Sequence, residues 1–217
     1  MLLPLSVVLL SLLLGTLAGG RVRTLERLRL RWWPLALIGV AMQLVPASAR
    51  DSGPAALPTL VLIASFPPLL AFAARNLRVP GFAFILAGLA LNFAVIAPNG
   101  GMPVSREAIE RAGGDAAVQM AEPEGAKHHL LDDGDVLTPL ADVIPIGPLH
   151  EVVSVGDIAV YAGLAWMLIA AMREPTPATD RLSPHPRGYR GKHRRYRRPP
   201  PGAPGPLPPV AAGTSGS

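Results

Sequence analysis

The sequence predicts an all-α integral membrane protein: about five transmembrane helices, one structured extracytoplasmic loop and a disordered, basic cytoplasmic tail. Three observations carry this. Half of the 217 residues are apolar and only 16% are charged, with a mean hydropathy of +0.36. The apolar residues are bunched into runs of about 20, the length that crosses a hydrocarbon core of about 30 Å. The basic residues fall almost entirely on one side of those runs. Buried helices of a soluble protein are the competing explanation, but five runs with so few charges leave no polar face for water.

Residues 2–20 carry no charge, and their basic residues follow the run instead of preceding it. A secretory signal has its basic region first, so a first helix with its N-terminus outside is favoured over a cleaved signal. Residues 32–49 hold one strongly polar side chain, Gln43; residues 55–74 are interrupted by Ser65 and Pro67-Pro68. Residues 79–97 hold Asn92, and residues 152–172 hold Ser154 and Asp157 near their start.

Charge sets the direction. Arg21, Arg23, Arg27, Arg29 and Arg31, then Arg75 and Arg78, then nine Lys/Arg after Met172 fall on one side. Arg50, Arg106, Arg111 and Lys127 fall on the other. Lys and Arg accumulate on cytoplasmic loops, which places the N-terminus outside and the C-terminus in the cytoplasm. Trp32-Trp33 lies at the inner end of the second run, where aromatic rings favour the headgroup zone.

The outer loop, 98–151, opens on Pro98-Asn99-Gly100-Gly101, residues suited to a turn. Ser105 is placed to cap a short helix, REAIERA, with Glu107 and Arg111 paired four apart and Gly113-Gly114 as its stop. Ala108, Ile109 and Ala112 share one face that can rest on the membrane or the bundle. From Pro98 to Asp157 there are three Lys/Arg against eleven Asp/Glu. Leu130, Leu131, Val136, Leu137, Leu140, Val143, Ile144, Ile146 and Leu149 supply enough apolar surface to dock this loop on the helix ends. With no cysteine, no disulfide contributes.

PNGGMPVS after the fourth run, DVLTPLADVIPIGP, and SVGD leading into the last run resemble an uncharacterised family of small bacterial polytopic membrane proteins, known only as a domain of unknown function. The resemblance covers roughly residues 1–172. It implies an integral membrane location and carries no activity, cofactor or catalytic residue.

Candidate chemistry concentrates at three places. HHLLDDGD holds His128, His129, Asp132, Asp133 and Asp135, a donor set suited to Zn²⁺, Mn²⁺ or Fe. If helical, it pairs His128 with Asp132 and His129 with Asp133. The spacing matches neither an H-E-x-x-H helix nor an EF-hand, and a solvated turn cornered at Asp133-Gly134 is the plainer account. No other cofactor is implied. Asp157, where the last helix begins, is either a helix cap or an acid that binds a cation or amine at the outer mouth. Gln43 and Asn92 each lie eleven residues from an inner helix end, about 16 Å deep. They are therefore level, either hydrogen-bonded in helix packing or lining a polar site beside the break that Pro67-Pro68 introduces. With Asn99, these make the candidate binding residues Asp157, Asn99, Gln43 and Asn92.

The tail GYRGKHRRYRRPPPGAPGPLPPV has too few apolar residues to fold. Its Arg density suits anionic lipid better than nucleic acid, and its Pro-rich end can offer an extended docking segment. The sequence therefore reads as a non-enzymatic envelope component presenting an acidic outer loop to a membrane-protein partner or a cation. The alternative is a small transporter or metal-dependent membrane enzyme using Asp157 and the His/Asp cluster. Removal of residues 176–217 is expected to leave the thermal unfolding of the detergent-solubilised protein unchanged; a loss of several degrees would contradict a purely disordered tail.

Overall fold

A computed structural model describes residues 2–44, 57–114 and 127–173. The basic tail, the end of the second apolar run and residues 115–126 of the expected outer loop lie outside the described residues. What is described is mostly helical. Helices α1 (Leu2–Leu17), α2 (Trp33–Gln43), α3 (Leu57–Arg75), α4 (Phe82–Asn99) and α6 (Val155–Arg173) follow the five apolar runs, and a short α5 (Arg106–Arg111) lies between the last two. Helices α3, α4 and α6 are long and apolar enough to cross a membrane, whereas α1 and α2 are apolar but shorter, at 16 and 11 residues.

Contacts at the helix ends fix their directions. Leu3 N donates to Glu151 Oε1 at 3.2 Å beside the start of α6, and Arg21 N and Thr24 Oγ1 donate to Met172 O at 2.9 and 3.1 Å near its end. Helix α1 therefore runs alongside α6 in the same sense. Helices α2 and α3 are antiparallel: Asn76 accepts from Arg31 N and donates to Arg31 O, both at 2.8 Å, while Gln43 Nε2 donates to Ser65 Oγ at 3.1 Å. The Arg75 guanidinium lies 5.1 Å from the Trp32 ring centroid, a cation–π contact that closes this end of the pair. Phe66 on Phe93 and Phe72 on Phe82, each 5.4 Å between centroids, align α3 antiparallel to α4. Helix α3 passes through Pro67 and Pro68 without interruption, so the expected break is not opened there.

The closest approach is between α4 and α6. Gly81 and Gly88 on α4's side meet Gly163 and Gly156 on α6, a spacing of seven on both strands of the seam. A Cβ built on Gly88 would sit 2.3 Å from Gly156 O, and one on Gly163 would sit 2.5 Å from Gly81 O. Backbone against backbone at this distance is available only to glycine and is the means by which membrane helices pack without large side chains.

Helix α4 extends past its expected end. It includes Pro98 and Asn99, and Gly100, at φ +69°, forms the left-handed cap that turns the chain. Asn99 Nδ2 donates to Val95 O at 2.9 Å, so a side chain supports the last turn of a helix that holds a proline.

The segment between α4 and α6 departs from an all-α expectation. Strand β1 (Met102–Val104) pairs in parallel with β2 (His128–Leu130), and β3 (Ile144–Ile146) pairs antiparallel with β4 (Glu151–Val153). Asp142 lies along β1 as well: its N donates to Pro103 O at 3.0 Å and its O accepts from Ser105 N at 2.9 Å. Helix α5 forms as its sequence dictates. Ser105 accepts from Ala108 N at 3.3 Å, and Glu107 pairs with Arg111. On its apolar face Ile109 packs with Val104, Leu130 and Val152 of the same segment, and Ala108 and Ala112 are buried beside it. Met102 and Ala141 complete a core with Leu62, Phe66, Val95 and Ile96, which docks the segment on the ends of α3 and α4.

The seam makes a direct prediction. Gly88→Ala and Gly156→Ala force a methyl onto backbone and are expected to destabilise by about 1–3 kcal/mol each. Gly147→Ala, where nothing lies within 4 Å, is the control and should be near neutral. Thermal unfolding in detergent distinguishes them, and equal behaviour of all three would remove the seam's importance.

Candidate functional site

The glycine seam brings Asn92 onto the first turn of α6. Ser154 caps that helix, its Oγ accepting from Asp157 N at 3.0 Å, while Asp157 Oδ2 accepts from Ser154 N at 3.1 Å. This is a reciprocal cap with aspartate in the third helical position. Asn92 closes it into a ring: its Nδ2 donates to Asp157 Oδ1 at 2.7 Å and its Oδ1 accepts from Ser154 Oγ at 3.0 Å. Both Asp157 oxygens are thus engaged. Equal depth in two helices allows an Asn92–Gln43 bond or a shared polar site, but the structure gives each amide a different partner. Depth says nothing of which way a helix is rotated, and α4 turns Asn92 toward α6.

Gln43 bonds Ser65 Oγ, which in turn donates to Leu62 O at 2.6 Å, so this amide braces α2 on α3. Asn99 clamps the loop to the helix end. Besides Val95 O, its Nδ2 donates to Val136 O, and its Oδ1 accepts from Val136 N, both at 2.9 Å.

The His/Asp cluster divides. His128 and His129 are consecutive on β2, so their side chains leave opposite faces, and the helical His128–Asp132 and His129–Asp133 pairs do not form. His129 Nε2 instead meets Asp135 Oδ1 at 2.8 Å, and His128 Nε2 lies 3.5 Å from Asp142 Oδ2. Asp132 Oδ1 accepts from Gly134 N at 2.7 Å and Asp135 Oδ2 from Asp132 N at 2.9 Å, which makes the DDGD stretch a self-bonded turn. Desolvation pushes the Asp135 carboxyl up, but the Asp132 amide and the His129 ring outweigh it and hold the group below its ordinary value. Asp133 is exposed. Among the described residues, no three His, Asp or Glu side chains are grouped to hold a metal ion.

Asp142 was not singled out by its sequence. It is 5% exposed, and its Oδ1 is buried without a hydrogen-bond partner among the described residues. Burial, then repulsion from Asp157, pushes its carboxyl up to about 8. Tyr161 lies within electrostatic range of Asp157, Glu151 and Asp142, so these groups share one neighbourhood at the start of α6. The available signal was that Asp142 is the one charged residue between Val136 and Leu149.

A family model described as a family of unknown function, DUF5317, matches residues 27–169. The chain belongs to the DUF5317 family. That match spans α2 through nearly all of α6, including the glycine seam and the Asn92–Ser154–Asp157 ring. No curated protein and no solved structure matches the chain.

The ring makes a prediction that separates charge from geometry. Asp157→Asn turns one acceptor into a donor facing Asn92 Nδ2 or Ser154 N, and should cost about 1–2 kcal/mol. Adding Asn92→Asp restores the donor–acceptor order with the charge on the other helix. The double variant is expected to regain most of the lost thermal stability. Additive losses would mean that the ring is incidental.

Proposed function

We propose that this chain is a non-enzymatic, multi-pass component of the cell membrane that presents its acidic segment, 98–151, on the outer face to a cationic surface of a membrane-protein partner. In this reading all five apolar runs span, the N-terminus is outside, and the basic tail lies on anionic lipid in the cytoplasm. The observation that carries it is the use made of the polar side chains. Gln43, Asn92, Asn99 and Asp157 are each engaged in hydrogen bonds within the chain, so they serve the scaffold. Exposed acids such as Glu107, Glu110 and Asp133 stay at the surface of a segment anchored by the core it shares with α3 and α4. Opposite charges across an interface steer encounter and fix register, the chemistry expected of such a surface.

Orientation follows from the distribution of Lys and Arg. A reporter fused after residue 173 should be active only in the cytoplasm, and one inserted within residues 115–126 only outside; the reverse pattern would overturn the topology. For the function, Glu110→Gln with Asp133→Asn is expected to leave stability within about 0.5 kcal/mol. The same pair should abolish complementation in a strain whose growth depends on this protein. Full complementation by the neutralised chain would refute the acidic surface as the working part.

A further inference from the structure

Asp142 sits where the sheet segment is fastened to the helices. Its backbone holds β1 through Pro103 and Ser105, and its neighbour Ala141 is fully buried in the core shared with Leu62, Phe66, Val95, Ile96 and Met102. A carboxylate here would be a charge removed from water with one oxygen unbonded, a costly arrangement unless the group is neutral or paired. Among the described residues, the titratable groups that face it are His128 on β2 and Asp157 and Tyr161 on α6. Of these three, His128 is the one that can bring positive charge. At 3.5 Å it lies beyond the roughly 2.7–2.9 Å of a strong charge-assisted bond. Asp157 repels a second negative charge, and its own oxygens are already committed to Asn92 and Ser154.

We propose that Asp142 is a reversible proton-binding site: the neutral acid keeps the segment seated on the helix ends, and loss of its proton loosens it. The proton goes to solvent and no other reactant is needed. The site would bind and release its proton whichever side of a membrane the segment faces and whatever it contacts.

The direction of the pH response follows from the raised value. The unfolded chain releases this proton near pH 3.8, the folded chain only at about 8. Between those limits the folded state binds more protons, so its stability falls as pH rises, and the fall ends above about 8. For one proton, opening of the segment increases by at most about tenfold per pH unit.

Two measurements on the full-length protein in detergent test this. Infrared difference spectra between pH 5 and 10 should show a protonated-carboxyl C=O band lost with a midpoint near 8. The band should be absent in Asp142→Asn, present in Asp157→Asn and present in His128→Gln. Limited proteolysis within residues 100–154 should rise with pH in the wild type and be flat in Asp142→Asn. The proposal is overturned by a wild-type protein with no such band at pH 6, by a band that survives Asp142→Asn, or by its loss in His128→Gln. It is equally overturned if Asp142→Asn is cleaved faster at every pH, which would make the residue structural only. Should the Asn variant not fold, the wild-type band and its midpoint decide alone.

Discussion

The approach of α4 to α6 at glycine is the constraint on which the other features rest. Two glycines seven residues apart on each side let the backbones meet, and only at that separation can the short Asn92 side chain reach both Ser154 and Asp157. The ring then sets where α6 starts. The start of α6 sets where β4 ends, and hence where Glu151 stands to receive Leu3 N from α1. A methyl group on Gly156 would lie 1.8 Å from Asn92 Oδ1, so packing and polar bonding here are one feature rather than two.

The segment between these helices is held at several independent places. Asn99 fastens it to the end of α4, Met102 and Ala141 bury it against α3 and α4, and Asp142 joins it to β1. This redundancy accounts for order in a stretch whose strands are three residues long. Isolated two-stranded pairs of that length are marginal, and these persist because each is backed by apolar contacts to something already folded.

The helical part was legible in the sequence because it depends on composition over long windows. Three of the five apolar runs became helices of spanning length within a few residues of their expected limits. Ser105 and the Glu107–Arg111 pair were legible because capping and i,i+4 pairing are local. The strands were not: Met-Pro-Val, His-His-Leu, Ile-Pro-Ile and Glu-Val-Val are too short to show a two-residue period, and their partners are chosen by tertiary contacts. The same limit applies to the site. Spacing suggested that His128 and His129 face carboxylates on a helix, but a strand sends them apart, to Asp142 and Asp135. Asp142 is invisible to motif reasoning because its significance lies in burial, which a sequence states only indirectly.

The ring also imposes an order of events during synthesis. Asn92 must wait for Ser154 and Asp157, 62 and 65 residues later in the chain. At about 5–20 residues per second, α4 exists for several seconds with its amide and its glycine face unmatched, while the intervening sheets lack β4. For that interval α4 has only the partners already synthesised: α3 through the two phenylalanine pairs, Leu28 and Leu30 in the cluster with Phe82, and, once they emerge, Met102 and Ala141 in the core with Val95 and Ile96. Those contacts are therefore what the nascent chain can offer α4 until the last helix arrives.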